Sequence, residues 1–228
     1  MFLKDLLFPK FCLGCGYLGT YICPKCFQKL KPYNQERCFY CKKSSPLGLT
    51  HPGCLKKLNI DGLTAIYYYN GFLKKIIKNI KYRLATEIWS DFIRGIKQDS
   101  LEKIMRLKTI AKDYIIEPIP LTKARMAERG FNQSILIAKF LNKFLGLETS
   151  DFLIRVKDKY PQAQLGSKLT RYQNVRGIFA LRPNADVKNK KILLVDDVVT
   201  TGSTVREATR VLKRMGAVKV CILALAHG

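Results

Sequence analysis

The chain has 228 residues, 47% of them apolar, with 41 Lys and Arg against 17 Asp and Glu, for a formal net charge of +24. That apolar content supports a folded core with a small appendage, and the absence of any run of about 18 uncharged apolar residues excludes a membrane-spanning helix. The excess positive charge, spread along the chain, points to anionic partners: nucleic acid, phosphorylated metabolites or both.

The opening MFLKDLLFPK is interrupted by Lys4 and Asp5 and stopped by Pro9. It reads as a short amphipathic helix rather than a secretory signal, which implies a cytoplasmic protein. Seven of the eight cysteines fall before residue 55 in paired steps. With no export signal, that favours metal ligation over disulfides. Cys12, Cys15, Cys23 and Cys26 form CxxC–x7–CxxC, while Cys38, Cys41, His51 and Cys54 repeat the two-residue gap with one histidine. Either set suits a structural Zn²⁺, with every coordination position filled by protein. Four thiolates also suit an iron–sulfur cluster, but the histidine and the even pairing favour zinc. The spacing leaves open whether each ribbon holds its own metal or the knuckles are crossed. Gly14, Gly16 and Gly19 spell GxGxxG, yet no strand precedes them and cysteines interleave with them, so they read as turns of a metal knuckle rather than a dinucleotide fingerprint.

Composition changes near Asn59–Gly62, which predicts a metal-ribbon domain over residues 1–60 and a second domain over 61–228. Leu63–Tyr69 is β-branched and aromatic, hence a strand. Phe72, Ile76, Ile77 and Ile80 fall at helical spacing with lysines opposite. Asp113–Pro120 reads as a buried strand stopped by prolines, and the loop after it carries Lys123, Arg125 and Arg129. Ile135–Leu145 is a helix stopped by Gly146. The long basic stretch Arg155–Arg176 is of the kind that is often functional. Ile192–Val195 is a short apolar strand of the parallel-sheet type. A helix stripe through Val205, Ala208, Val211, Leu212 and Met215 and a buried strand over Val218–Leu225 complete the chain. Alternating strands and helices predict an α/β domain with a mostly parallel sheet. Cys221 reads as core packing, and His227, at the chain end, has no assignable role.

The run LLVDDVVTTGSTV (Leu193–Val205) is the most informative segment. An apolar strand ends at Asp196 and Asp197; Thr200, Thr201, Gly202, Ser203 and Thr204 then lead straight into a helix. Backbone N–H groups and hydroxyls at a helix N-terminus suit a phosphate, and Gly202 lets the backbone close around the anion. The two carboxylates cannot bind that phosphate and suit the hydroxyls of an attached ribose. The Walker pattern is absent.

VDDVVTTGST resembles the signature of type I phosphoribosyltransferases. With the cysteine knuckles, PIPL…ERGFNQ (Pro118–Gln133) and QLGSKLTRYQNVRGIF (Gln164–Phe179), the whole chain is similar to the ComF (ComFC-type) competence-associated family. The departure is His51, where that family typically has cysteine. The resemblance implies a type I phosphoribosyltransferase-like, mostly parallel sheet flanked by helices, preceded by a double zinc ribbon with two structural zinc ions. It implies binding of 5-phosphoribosyl 1-diphosphate with Mg²⁺, Asp196 and Asp197 at the ribose, the Thr200–Thr204 turn on the phosphate, and Lys123, Arg125 and Arg129 on the diphosphate. Gln164, Arg171, Asn174 and Arg176 would belong to a hood over the substrate. The chemistry implied is displacement of diphosphate at the anomeric carbon by a nitrogen nucleophile. Single-stranded DNA and a competence helicase are the implied partners, and a non-catalytic DNA-binding protein that retains the phosphoribosyl site is the alternative.

Overall fold

The computed structural model describes residues 8–82, 85–157 and 176–228. The expected helix at the chain start falls largely outside them. No helix among the described residues is long and apolar enough to cross a membrane.

Four parallel strands form the central sheet: β1 (Gly62–Tyr68), β2 (Tyr114–Pro118), β5 (Lys191–Val199) and β6 (Lys219–His227), in the order β1-β6-β5-β2. β3 (Leu153–Arg155) and β4 (Phe179–Leu181) pair antiparallel beside it. Both faces of the sheet are covered, which is why its strands read as unbroken apolar runs. On one face Leu193, Val195, Leu223 and Leu225 pack against α2 (Gly71–Tyr82), α3 (Ala85–Arg94), α4 (Gln98–Ile110) and α6 (Gln133–Leu145). On the other, Ile192, Leu194, Val220 and Ile222 meet Val205, Ala208 and Leu212 of α7 (Ser203–Arg214). Of the predicted α2 stripe, Ile76, Ile77 and Ile80 are buried and Phe72 is half-buried; Leu73, outside that stripe, is buried as well, while Lys74, Lys75 and Lys78 face solvent.

Two predicted strands are extended by the structure. β5 reaches Val199 rather than Val195, because its ladder with β6 continues through the Asp196–Ala224 and Val198–Ala226 pairs. The acids therefore sit inside the strand's last turns, not beyond its end. β6 reaches His227, which is half-buried and lies 5.2 Å, ring to ring, from Tyr33. Its position at the carboxyl edge of the sheet could not be read from a place near the chain terminus.

The cysteine-rich segment is built of turns, the short helix α1 (Pro24–Phe27) and two single-turn 3-10 helices at Pro46–Gly48 and Pro52–Cys54. It is fastened to the open side of β1, where the Tyr33 N–H donates to Ile66 O and the Tyr68 N–H to Lys31 O, both at 2.9 Å. That covers an otherwise unpaired sheet edge. Phe27 joins the main core, its ring centroid 6.3 Å from Tyr67 and 5.7 Å from Phe92. Lys103 donates to Tyr33 O and, at 2.9 Å, to Ala65 O.

Candidate functional site

The metal-ligating candidates fall into two groups that follow chain order. Cys12, Cys15, Cys23 and Cys26 converge in one, and Cys38, Cys41, His51 and Cys54 in the other; within each, the ligand atoms lie within 4.8 Å of one another. Crossed pairing of the knuckles is thereby excluded. A tetrahedral zinc with Zn–S near 2.3 Å needs sulfurs about 3.8 Å apart, and Cys15 and Cys23 stand at 3.6 Å. The donor set fits zinc. In the second group the His51 Nδ1 faces Cys41 Sγ at 3.2 Å and its Nε2 faces Ser44 O at 3.0 Å. A ligating histidine is ordinarily oriented in this way, with the second ring nitrogen donating to a carbonyl.

The electrostatics of the first group call for a cation. Burial pushes the Cys12 thiol up, but N–H groups of Cys23 and Gly14 aimed at its sulfur overcome this and bring it down to about 6. Burial and its cysteine neighbours push Cys26 up to about 12. Sulfurs this close cannot all ionise together unless a positive ion joins them. Gly14 fits the same knuckle: a Cβ there would stand 2.5 Å from Cys26 Sγ. The GxGxxG run thus serves the metal turn, as its interleaving with cysteines implied.

The phosphoribosyl candidates gather at the carboxyl end of β5, where a cavity of about 220 Å³ is lined by Asp196, Asp197, Arg125, Arg129, Gln133 and Thr204 among others. Asp196 is buried, its Oδ1 accepting from the Asp197 N–H at 2.9 Å and from the Ser134 hydroxyl at 3.4 Å. The Val198 N–H, at 2.9 Å, donates to Asp197 Oδ1. Gly202, at φ 73°, is the N-terminal cap residue of α7 and offers no side-chain cap. Thr201 and Ser203 hydroxyls instead bond each other at 2.9 Å on the exposed turn, so the hydroxyl cluster is not used up in capping.

The segment after β2, expected as a loop, is a helix: α5 (Lys123–Arg129), capped by Thr122 Oγ1, which accepts from the Arg125 N–H at 3.3 Å. Arg125 and Arg129, four residues apart on it, share one face and line the same cavity as the acids. Lys123 does not line that cavity; it lines a neighbouring one of about 720 Å³ together with Pro120, Met126 and Arg182. Of the five residues Thr200–Thr204, Thr204 lines the acid cavity, Thr200–Gly202 form the turn between β5 and α7, and Ser203 opens α7. Gln164, Arg171 and Asn174 lie outside the described residues, and Arg176 is exposed.

Several contributors were not singled out as site residues by sequence. Asn132 caps α6, its Oδ1 accepting from the Ser134 N–H at 3.0 Å while its Nδ2 donates to Ile119 O at 2.9 Å. This fixes the corner between the two arginines and the acids. Gln133 is buried, and its Nε2 has no hydrogen-bond partner among the described residues. An unpaired buried donor costs about 1–3 kcal/mol, and a ligand oxygen in the cavity would relieve it. Arg155, from β3, also lines the cavity. The mixed Arg–Gly–amide run through Gln133 and the basic stretch that opens at Arg155 were the available signals; Ser134 had none.

Compared with known proteins, residues 132–228 match the phosphoribosyl transferase domain family. The chain is 28% identical to Competence protein F of Haemophilus influenzae, over 90% of each chain. It is 28% identical to Competence protein ComFC of Bacillus subtilis, over 86% of this chain and 79% of that one. With the DNA utilization protein YhgH of Salmonella typhi it shares 32% identity over 72% of this chain and 71% of that one. Among solved structures it resembles a hypoxanthine phosphoribosyltransferase of Staphylococcus aureus at 16% identity and TM-score 0.36, covering 55% of this chain and 59% of that one.

Proposed function

The chain belongs to the ComF family of competence and DNA-utilization proteins, with a type I phosphoribosyltransferase fold behind two cysteine-rich metal clusters, and from that premise we propose that it binds 5-phosphoribosyl 1-diphosphate with Mg²⁺ and works as a cytoplasmic phosphoribosyltransferase in DNA uptake. The observation that carries this reading is the shared cavity of Asp196, Asp197, Arg125, Arg129 and Thr204 at the carboxyl end of a central parallel strand. Ligands of open α/β sheets bind in that place.

In this reading the α7 N-terminus and the Thr200–Thr204 turn take the 5-phosphate, whose charge suits the helix dipole and the N–H groups of the first turn. Asp196 and Asp197 hold the ribose hydroxyls and offset the positive charge that develops on the sugar as the anomeric C–O bond breaks and a C–N bond to the acceptor forms. Arg125 and Arg129 neutralise the departing diphosphate. The carboxylates and substrate oxygens form the hard oxygen set that Mg²⁺ prefers, and the ion when bound would screen the leaving group's charge. Residues 61–228 form the transferase domain and residues 1–60 the ribbon domain.

Calorimetry with 5-phosphoribosyl 1-diphosphate and Mg²⁺ tests the reading. Micromolar-range binding by the wild type and a loss of at least about 100-fold, roughly 2.7 kcal/mol, for Asp196→Asn/Asp197→Asn is the expected outcome. Failure of the wild type to bind refutes it.

A second reading, a DNA-binding protein that keeps the site for a ligand, is supported by the net charge of +24. Single-stranded DNA affinity that falls steeply between about 50 and 200 mM salt would support phosphate-backbone contact, and a flat response would remove it.

A further inference from the structure

Phe39 and Tyr40 are the two residues between the candidate ligands Cys38 and Cys41; the first is buried and the second partly so. Phe39 is 8% exposed and belongs to the same buried cluster as Val199 and Val205, the residues that bracket the phosphate-site turn. Its ring lies against Gly202: a Cβ at that glycine would stand 2.6 Å from Phe39 Cζ. The guanidinium of Arg206, in the first turn of α7, lies 5.0 Å from the Phe39 centroid and 5.3 Å from that of Tyr40. Tyr40 is held in turn by its hydroxyl, which accepts from the Ile60 N–H at 3.0 Å. A second cation, Lys42, stands 4.7 Å from the Phe39 ring. The knuckle backbone that presents both rings is closed by the Cys38 N–H bond to Lys43 O and the Lys42 N–H bond to Cys38 O, at 2.9 and 3.0 Å.

We infer that the second metal cluster positions the phosphate-binding turn: Phe39 sets the backbone path at Gly202, and with Tyr40 it fixes Arg206 and hence the start of α7. Gly202 sits at φ 73° under a ring that leaves no room for a side chain. The turn can keep its anion-binding shape only while the ring stays in place, and the ring stays in place only while the knuckle is closed around metal. In the first knuckle Gly14 instead faces Phe72 of α2. Phe39 is therefore a positioning residue for the ligand site. The inference rests on the reading of this turn as a phosphate site.

The test uses the full chain and three readouts: zinc per chain, deuterium exchange at the amides of residues 200–206, and calorimetric affinity for 5-phosphoribosyl 1-diphosphate with Mg²⁺. Phe39→Ala should retain two zinc ions, speed exchange of the turn about tenfold or more and weaken ligand binding about tenfold. Leu13→Ala, the equivalent place in the first knuckle, should leave the exchange and affinity of the turn unchanged. Phe39→Leu covers the case in which the alanine variant fails to fold. The pair Phe39→Leu and Gly202→Ala gives a contact-specific readout. A methyl at 202 should be better tolerated when the ring is absent, so the double variant should bind more tightly than the product of the single effects predicts. Unchanged exchange in Phe39→Ala or Phe39→Leu with both zinc ions present, or strict additivity of the pair, overturns the inference. If the wild type binds no ligand, the functional reading fails, while the exchange and zinc measurements still decide the coupling.

Discussion

The two metal clusters are near copies in sequence and differ in what they hold. The first is tied to helices: the Thr20 hydroxyl and the Tyr21 N–H both donate to Asp91 of α3 at 2.8 Å, and Phe27, directly after Cys26, packs into the core beside Phe92. The second is tied through Phe39, Tyr40 and Arg206 to the turn before α7, the proposed ligand site. The first segment is held against the helices; the second covers part of the β1 edge through Gly48 and Leu49 and stands behind the turn proposed to bind phosphate. Similar ligand spacing therefore carries no information about the task of a knuckle. That is decided by the residues between and after the ligands and by what they meet.

The largest effect separating the two should come from removing one ligand at each. Cys15→Ser and Cys54→Ser should each lower zinc from two ions per chain to one and cost several kcal/mol, since the folding of such short segments is largely metal-binding energy. Only Cys54→Ser should weaken binding of 5-phosphoribosyl 1-diphosphate once both proteins are held at a temperature where they remain folded. Metal analysis with calorimetry checks this, and equal loss of affinity in both would erase the distinction.

Phe27→Ala removes the first segment's core anchor. A buried phenylalanine truncation costs about 3–5 kcal/mol, read by denaturant unfolding, with the second zinc retained.

A smaller, pH-dependent effect probes the stretch between the knuckles. Burial pulls Lys103, which holds Tyr33 O and Ala65 O, down to about 8 from 10.5. Between those pH values the unfolded chain binds more protons than the folded one, so stability should rise as pH climbs from about 8 toward 10.5, by on the order of 1–2 kcal/mol. Unfolding curves across that window should show the slope in the wild type and lose it in Lys103→Met.

The smallest effect is expected of Asp91→Asn, which weakens two bonds from the first segment. A loss of about 1 kcal/mol with no change in ligand affinity would fit their accessory role.

Much of the fold was legible because it is written in local periods. The α2 stripe, the apolar β5 run and the glycine that ends α6 each answer to spacing within a dozen residues. The exceptions were boundaries set by partners. β5 continues through two acids because β6 runs alongside it, and the basic segment after β2 winds into α5 between the Thr122 cap and Gly130. In the candidate site, Asp196, Asp197 and the turn stood out as candidates from residue type and order within one short run. Ser134, bonded to Asp196 across 62 positions of sequence, was not.

By itself the sequence determined that eight candidate metal ligands fall in four two-residue steps and that an acid pair runs into a hydroxyl-rich glycine turn before a helix. Both are patterns of donor chemistry at short range. Only the tertiary structure decided which knuckles converge into one group of candidate ligands, that Arg125 and Arg129 line the cavity of the acids while Lys123 lines a neighbouring one, and that Phe39 lies on Gly202. Those contacts join residues far apart in the chain, and they arise from the packing of whole elements, which no local period encodes.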